Sequence, residues 1–306
     1  MISTEKTWSE INVQTARGLA RAISLVENNA EGYLEFLARL DPTKNPPVIG
    51  ITGPPGAGKS TLVNALIGFL AAQGNRVGVL AVDPTSPFNF GSLLGDRIRM
   101  AEHYTNPNVF IRSLATRGSL GGLSAKAIEI TDVLRAADFD YIIIETVGVG
   151  QSEVEIAGLA DTTIVVLVPE AGDEIQGIKS GIMEIADIFI VNKADRPGAE
   201  IYISNLKKML HARPKSDWQI PVIATVAQKK EGIDKVAEAV FQHQQSPQTQ
   251  SRKPQLLAEK AYQLIQSKRM AGISKRELAE KIAESLKQGN FNLYKLVKDS
   301  ITNYAV

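Results

Sequence analysis

VIGITGPPGAGKSTLVNALIGFLAA, residues 48–72, decides the fold. It opens on a short run rich in β-branched residues, 48–52, and leads into a run with helical spacing, 61–73. Between them lies Gly53-Pro54-Pro55-Gly56-Ala57-Gly58-Lys59-Ser60-Thr61, which matches G-x-x-x-x-G-K-[ST] in full. Strand, glycine turn and helix in this order form a phosphate-binding loop. The glycines let backbone N–H groups turn inward around phosphate oxygens, and the helix start adds its positive end. Lys59 is then placed to reach the β- and γ-phosphates, and Ser60 to set its hydroxyl on Mg²⁺.

Working outward, short apolar runs at 48–52, 77–83, 109–112, 141–145, 163–168, 188–191 and 222–225 alternate with helical stretches near 61–73, 124–137, 175–186, 199–211 and 233–244. Unbroken apolar strands alternating with helices predict an α/β protein, a three-layer P-loop NTPase fold on a mainly parallel seven-stranded sheet. Ahead of it, Ala16, Leu19, Ala20, Ile23 and Val26, then Leu34, Leu37 and Leu40, follow helical spacing until three prolines in 41–47 break it. After it, SPQTQSRKP at 246–254 reads as a linker. Helices are expected at 255–270, 274–289 and 292–303, with Ser274 and Glu277 as a capping box and Gly289 as a stop. The expected parts are an N-terminal helical extension, 1–45, the P-loop domain, 46–245, and a linker with a C-terminal helical arm, 246–306.

Composition narrows the chemistry. The chain has 306 residues, 34 Lys+Arg against 33 Asp+Glu, 3 His and no Cys. Without Cys there is no thiolate nucleophile, disulfide framework or Cys-bound metal. His103, His211 and His243 lie far apart and are expected in surface or packing roles. A net charge of +1 gives no broad pull toward nucleic acid or anionic lipid. The N-terminus is polar and no apolar run is long enough to span a bilayer, so a cytoplasmic protein is expected.

The base is read from Asn192-Lys193-Ala194-Asp195, directly after the run 188–191. A carboxylate at the fourth position of N-K-x-D accepts from the ring N–H and exocyclic amine of guanine, donors that adenine lacks on that edge. Lys193 is expected along the base and ribose. Val226-Ala227-Gln228 stands where a late loop of the form S-A-x contributes a backbone N–H to guanine; an ordinary strand exit remains the alternative there.

Glu145 ends the run 141–145, where the Mg²⁺ shell needs a carboxylate, directly or through water. Gly148 is placed to bring its N–H to the γ-phosphate. The next residue is Val149, which cannot polarise water, and Gln151 comes too late; slow hydrolysis by the isolated protein follows. Asp83, ending 77–83, is a Mg²⁺-facing or water-facing candidate, or a turn cap. Asp96 is a further metal candidate, or a partner for a nearby arginine.

Taken together, GPPGAGKST, DPTSPF, LLGDRIRM, ETVGVGQSE, AGDEIQGIKSGIMEIAD and NKAD, in this order, resemble the MeaB/ArgK family of methylmalonyl-CoA mutase-associated GTPases, members of the SIMIBI class of P-loop proteins. The resemblance covers about residues 14–244. It implies a homodimeric GTP-binding and -hydrolysing chaperone of an adenosylcobalamin-dependent acyl-CoA mutase that gates cofactor loading and protects the mutase. It further implies that Asp83 and Asp96 belong to a first switch, 145–153 to a second and 170–181 to a third, where Glu170 replaces the family's usual glycine. The C-terminal helices become a dimerisation arm.

Two other functions use the same loop. A nickel-metallochaperone-type GTPase needs Cys or clustered His, which this chain lacks. A P-loop small-molecule kinase needs an acceptor pocket with a base near the γ-phosphate, and no residue here is identifiable as that base.

Overall fold

In a computed structural model, residues 8–41, 43–83, 100–115, 125–146, 155–169, 180–212, 217–270, 273–289 and 291–303 are described. Strands β1 (Val48–Thr52), β2 (Val77–Asp83), β3 (Val109–Ala115), β4 (Tyr141–Glu145), β5 (Thr162–Leu167), β6 (Ile188–Asn192) and β7 (Val222–Thr225) form one sheet in the order β3-β2-β4-β1-β5-β6-β7. Every neighbouring pair is parallel. The P-loop expectation of a seven-stranded parallel sheet between helices therefore holds. A parallel sheet carries helices on both faces, which is why its central strands are apolar at consecutive positions. Every residue of β1, β5 and β6 is buried.

The helices in chain order are α1 (Ala16–Glu27), α2 (Tyr33–Ala38), α3 (Lys59–Ala72), α4 (Ala125–Ala136), α5 (Ser180–Ile185), α6 (Ala199–His211), α7 (Ile233–Gln244), α8 (Pro247–Met270), α9 (Lys275–Lys287) and α10 (Leu293–Asn303). One core joins Ile49 and Ile51 of β1 to Leu62, Leu66 and Ile67 of α3 and to Val236 and Val240 of α7. A second joins Val165, Leu167, Phe189 and Val191 to Tyr202 and Leu206 of α6. Gly50 in β1 lies so close to the chain after β4 that a Cβ would stand 2.6 Å from Ile156 Cγ1.

The N-terminal helices pack on α4. Thr15 caps α1 by accepting the Gly18 N–H at 3.1 Å. Leu19, Ala22, Ile23 and Val26 of α1 are buried, and α1 packs on α4. Glu27 pairs with Arg112 of β3 at 2.6 Å. Trp8 stacks on Phe36 with ring centroids 4.7 Å apart and donates to the Glu31 carbonyl at 2.7 Å.

Three expectations change. Strand β3 runs to Ala115 rather than stopping at Arg112, because Ser113, Leu114 and Ala115 continue the parallel ladder with Ala81, Val82 and Asp83 of β2. The helix expected over 175–186 is described only as Ser180–Ile185; residues 170–179 lie outside the described residues. The linker expected at 246–254 is instead the start of α8, which begins at Pro247 and holds Pro254 in its interior. Pro247 occupies the first helical position, where its missing N–H is no loss. Tertiary contacts hold the next turns: Thr249 Oγ1 donates to the His243 carbonyl at 2.7 Å, and Arg252 Nη1 to Asp187 Oδ1 at 2.9 Å.

The chain divides into two compact units, Met1–Leu256 and Leu257–Val306. The second unit is helical. Ser274 caps α9 by accepting the Glu277 N–H at 3.3 Å, as the capping-box spacing predicted. No described helix is long and apolar enough to cross a membrane.

Candidate functional site

The candidate site lies at the carboxyl ends of β1, β4, β6 and β7, the edge where open parallel sheets bind ligands. The glycine loop leaves β1 beside the backbone of β5. At Gly53, with φ 140°, a Cβ would stand 2.2 Å from the Val166 carbonyl oxygen. At Gly58, with φ 86°, it would stand 2.4 Å from Asn192 Nδ2. These two positions require glycine for both conformation and space.

Lys59 and Ser60 open α3, and both are buried. Lys59 Nζ donates back across the loop to the carbonyls of Gly53, at 2.8 Å, and Pro54, at 3.1 Å. The Ala57 N–H donates to the Pro54 carbonyl at 3.3 Å, tightening the turn over Pro55 and Gly56. Thr61 follows in the first turn of α3. Ser60 Oγ donates to Glu145 Oε1 at 2.6 Å. This buried hydroxyl and carboxylate are hard oxygen donors of the kind Mg²⁺ takes, so the pair fits that cation.

Asn192, at the end of β6, joins three segments. Its Nδ2 donates to the Ala57 carbonyl at 2.9 Å, and its Oδ1 accepts the Thr225 hydroxyl and the Ala227 N–H, each at 3.1 Å. Lys193, in left-handed conformation with φ 57°, donates from Nζ to the Gly56 carbonyl at 2.8 Å. The side chain expected along a base thus reaches the glycine loop. Asp195 is partly exposed, and its Oδ2 lies 3.3 Å from Lys229 Nζ. Val226 and Ala227 are buried, and Gln228 is exposed beside them in a short 3₁₀ turn, Ala227–Lys229.

The structure therefore brings Gly53, Pro54, Pro55, Gly56, Ala57, Gly58, Lys59, Ser60 and Thr61 together with Glu145, Asn192, Lys193, Asp195, Val226, Ala227 and Gln228 on one edge of the sheet. Asp83 is the last residue of β2, in register with Ala115. Asp96 and Gly148 lie outside the described residues, as do Val149, Gln151, Glu170 and most of the proposed third switch.

Two features escaped the motif reading. Thr146 Oγ1 donates to Thr52 Oγ1 at 3.0 Å in a fully buried pair where β4 and β1 end. The signal was available, since each threonine closes an apolar run. The other is Lys229, which no pattern at 226–228 includes.

Chemically, the edge combines a glycine loop, an ammonium group, a candidate cation site and, farther along, a carboxylate on a turn. A nucleoside polyphosphate carries the complementary groups in that order.

Comparison with known proteins agrees. Residues 19–282 match the family described as methylmalonyl-CoA mutase-associated GTPase MeaB. A protein of Pyrococcus abyssi, named as a GTPase, is 46% identical over 280 residues, covering 90% of this chain and 85% of that one. The mitochondrial methylmalonic aciduria type A homolog of Mus musculus is 43% identical over 205 residues, 64% of this chain and 49% of that one. Among solved structures, a protein described as LAO/AO transport system kinase superposes with a TM-score of 0.68 at 25% identity, covering 98% of both chains.

Proposed function

This chain belongs to the MeaB family of methylmalonyl-CoA mutase-associated GTPases, and we propose that it serves an adenosylcobalamin-dependent acyl-CoA mutase as a chaperone, gating cofactor loading and protecting the enzyme. As a GTPase it hydrolyses GTP to GDP and phosphate. In this reading the amides of 53–61 and the Lys59 ammonium hold the phosphates. Ser60 and Glu145 hold Mg²⁺, with Asp83 and Asp96 as further acids of its surroundings, and Gly148 meets the γ-phosphate. The ion neutralises charge on the β- and γ-phosphates when bound. Asn192 braces the glycine loop against 225–227, Asp195 takes the guanine edge, and the loop Val226-Ala227-Gln228 offers a backbone N–H to the base.

The observation that carries the nucleotide part is the Ser60–Glu145 hydrogen bond of 2.6 Å, a buried cation-ready pair at the head of the phosphate-loop helix. The mutase part rests on the family. With Val149 after Gly148, hydrolysis is slow until a partner reshapes the site.

The protein works as a homodimer in the cytoplasm. Support for self-association comes from the second unit, where Tyr262, Ile265, Leu286 and Tyr294 are 64%, 55%, 59% and 82% exposed and no residue of α9 is buried.

Affinity capture from cells that contain cobalamin-dependent mutases, with the protein held by a non-hydrolysable GTP analogue or by GDP, tests the assignment. Recovery of a mutase in a nucleotide-dependent amount supports it. Recovery of none in either state removes the chaperone role and leaves the GTPase. Labelled GTP yielding a phosphorylated metabolite rather than free phosphate would favour a small-molecule kinase instead.

A further inference from the structure

Asp195 lies on a turn beside the base end of the site, and the nearest charge to it was not anticipated. Lys229 Nζ stands 3.3 Å from Asp195 Oδ2, with side chains 59% and 44% exposed respectively. Two flexible side chains in water pair only loosely. Here both backbones are fixed. Lys229 closes the 3₁₀ turn by donating its N–H to the Val226 carbonyl at 2.9 Å. The next residue, Lys230, is left-handed with φ 60°. Val226 and Glu231 then exchange backbone hydrogen bonds of 3.2 and 3.3 Å, which closes the loop. On the facing side, the Ala194 N–H donates to the Thr225 carbonyl at 3.0 Å, and Asn192 ties β6 to Ala227 at 3.1 Å. The two loops that carry Asp195 and Lys229 are thus joined to each other. Val226, next to them, offers no side-chain hydrogen bond, so Lys229 is the side chain of this loop that reaches the carboxylate.

We infer that Lys229 is a positioning residue for guanine: its ammonium holds one side of the Asp195 carboxylate so that the other side is presented to the base. This rests on the assignment of guanine to Asp195. A carboxylate offers about four acceptor directions. One ammonium and the two guanine donors fit on it together. Holding the group in place before the base arrives lowers the ordering cost of binding. Because the pair is partly exposed, the effect is a few-fold, and salt weakens it.

The test compares GDP with IDP, whose base lacks the 2-amino group and so uses only half of the carboxylate. Dissociation constants are measured for the wild type, Lys229→Met, Lys229→Arg and Asp195→Asn, with thermal melting as the control for folding. The inference expects the GDP preference over IDP to fall about threefold in Lys229→Met and to return in Lys229→Arg. It also expects the GTP-to-GDP affinity ratio, set at the phosphate end, to stay at the wild-type value. A melting point kept in Lys229→Met with an unchanged GDP-to-IDP ratio, while Asp195→Asn loses the preference, overturns the inference and spares the guanine assignment. A ratio unmoved even in Asp195→Asn overturns both.

Discussion

The hydroxyl of Ser60 and the carboxylate of Glu145 meet at 2.6 Å because sheet register puts them there. Ile51 of β1 is level with Glu145 of β4, and Ile51 faces α3. Glu145 therefore faces α3 too, and Ser60 is in the first turn of that helix. A shift of one residue would turn the acid to the opposite face.

If the pair receives Mg²⁺, Ser60→Ala and Glu145→Gln should each raise the Mg²⁺ concentration for half-maximal GTP hydrolysis by about tenfold or more. GDP affinity measured without Mg²⁺ should stay within about threefold of wild type, since the amides and Lys59 remain. A magnesium titration of single-turnover hydrolysis, with GDP binding in chelator, checks both.

Lys59→Ala removes the ammonium from the phosphates and two hydrogen bonds from the loop. Its GTP affinity should fall by about 100-fold or more, in line with the loss of charge-assisted contacts worth about 1.5–3 kcal/mol each. The Ser60 and Glu145 variants, in contrast, should keep most of their Mg²⁺-free affinity. Titration calorimetry separates the two classes.

The glycines of the loop should differ in their tolerance of alanine. Gly56 is left-handed with φ 76°, yet a Cβ there meets nothing within 4 Å. Gly56→Ala should therefore cost only the conformational strain, about 1–2 kcal/mol. Gly53→Ala drives a Cβ to 2.2 Å from the Val166 carbonyl, and Gly58→Ala to 2.4 Å from Asn192 Nδ2. Both should destabilise the fold more than Gly56→Ala does, as measured by chemical denaturation without nucleotide. Gly58→Ala should also displace Asn192.

Legibility in the sequence follows from how local each signal is. The phosphate loop, the Asn192–Asp195 turn and the seven strands are written in contiguous runs, and all were readable. The Ser60–Glu145 bond depends on which strand lies beside β1, so spacing along the chain could name the two residues but not their contact. Strand β3 extends past Arg112 because its last three residues pair with the end of β2, a neighbour that spacing along the chain does not reveal. The start of α8 reads as a linker because proline and polar residues dominate 246–254, while the contacts that make it helical involve Asp187 and His243. For His243 a surface or a packing role is open from the sequence; the structure shows it buried and gives its partners.

Those partners form a buried cluster at the opposite end of the strands from the candidate site. Asp187 Oδ2 accepts the Thr163 N–H at 2.8 Å, while its Oδ1 accepts from Arg252 at 2.9 Å and lies 3.3 Å from His243 Nε2. His243 Nδ1 is 2.8 Å from the Thr162 hydroxyl, and its ring packs edge-on against Trp218. Asp187→Ala leaves a buried N–H and an arginine without their acceptor. It should cost about 2–4 kcal/mol of folding free energy in a denaturant titration, with GDP affinity of the folded protein unchanged.

Pro254 cannot donate to the carbonyl one turn back in α8. Pro254→Ala should stabilise that helix, by up to about 3 kcal/mol. Hydrogen exchange along Pro247–Met270 should slow in the variant. Unchanged or faster exchange would contradict this expectation.

The most direct test of the central claim, one edge of the sheet gripping a polyphosphate while Asp195 selects the purine, is competition between GTP and ATP for the wild-type protein in Mg²⁺. GTP should bind at least about 100-fold more tightly, the discrimination expected when paired, desolvated donors on one base are missing from the other. Equal affinity for the two nucleotides would contradict the account.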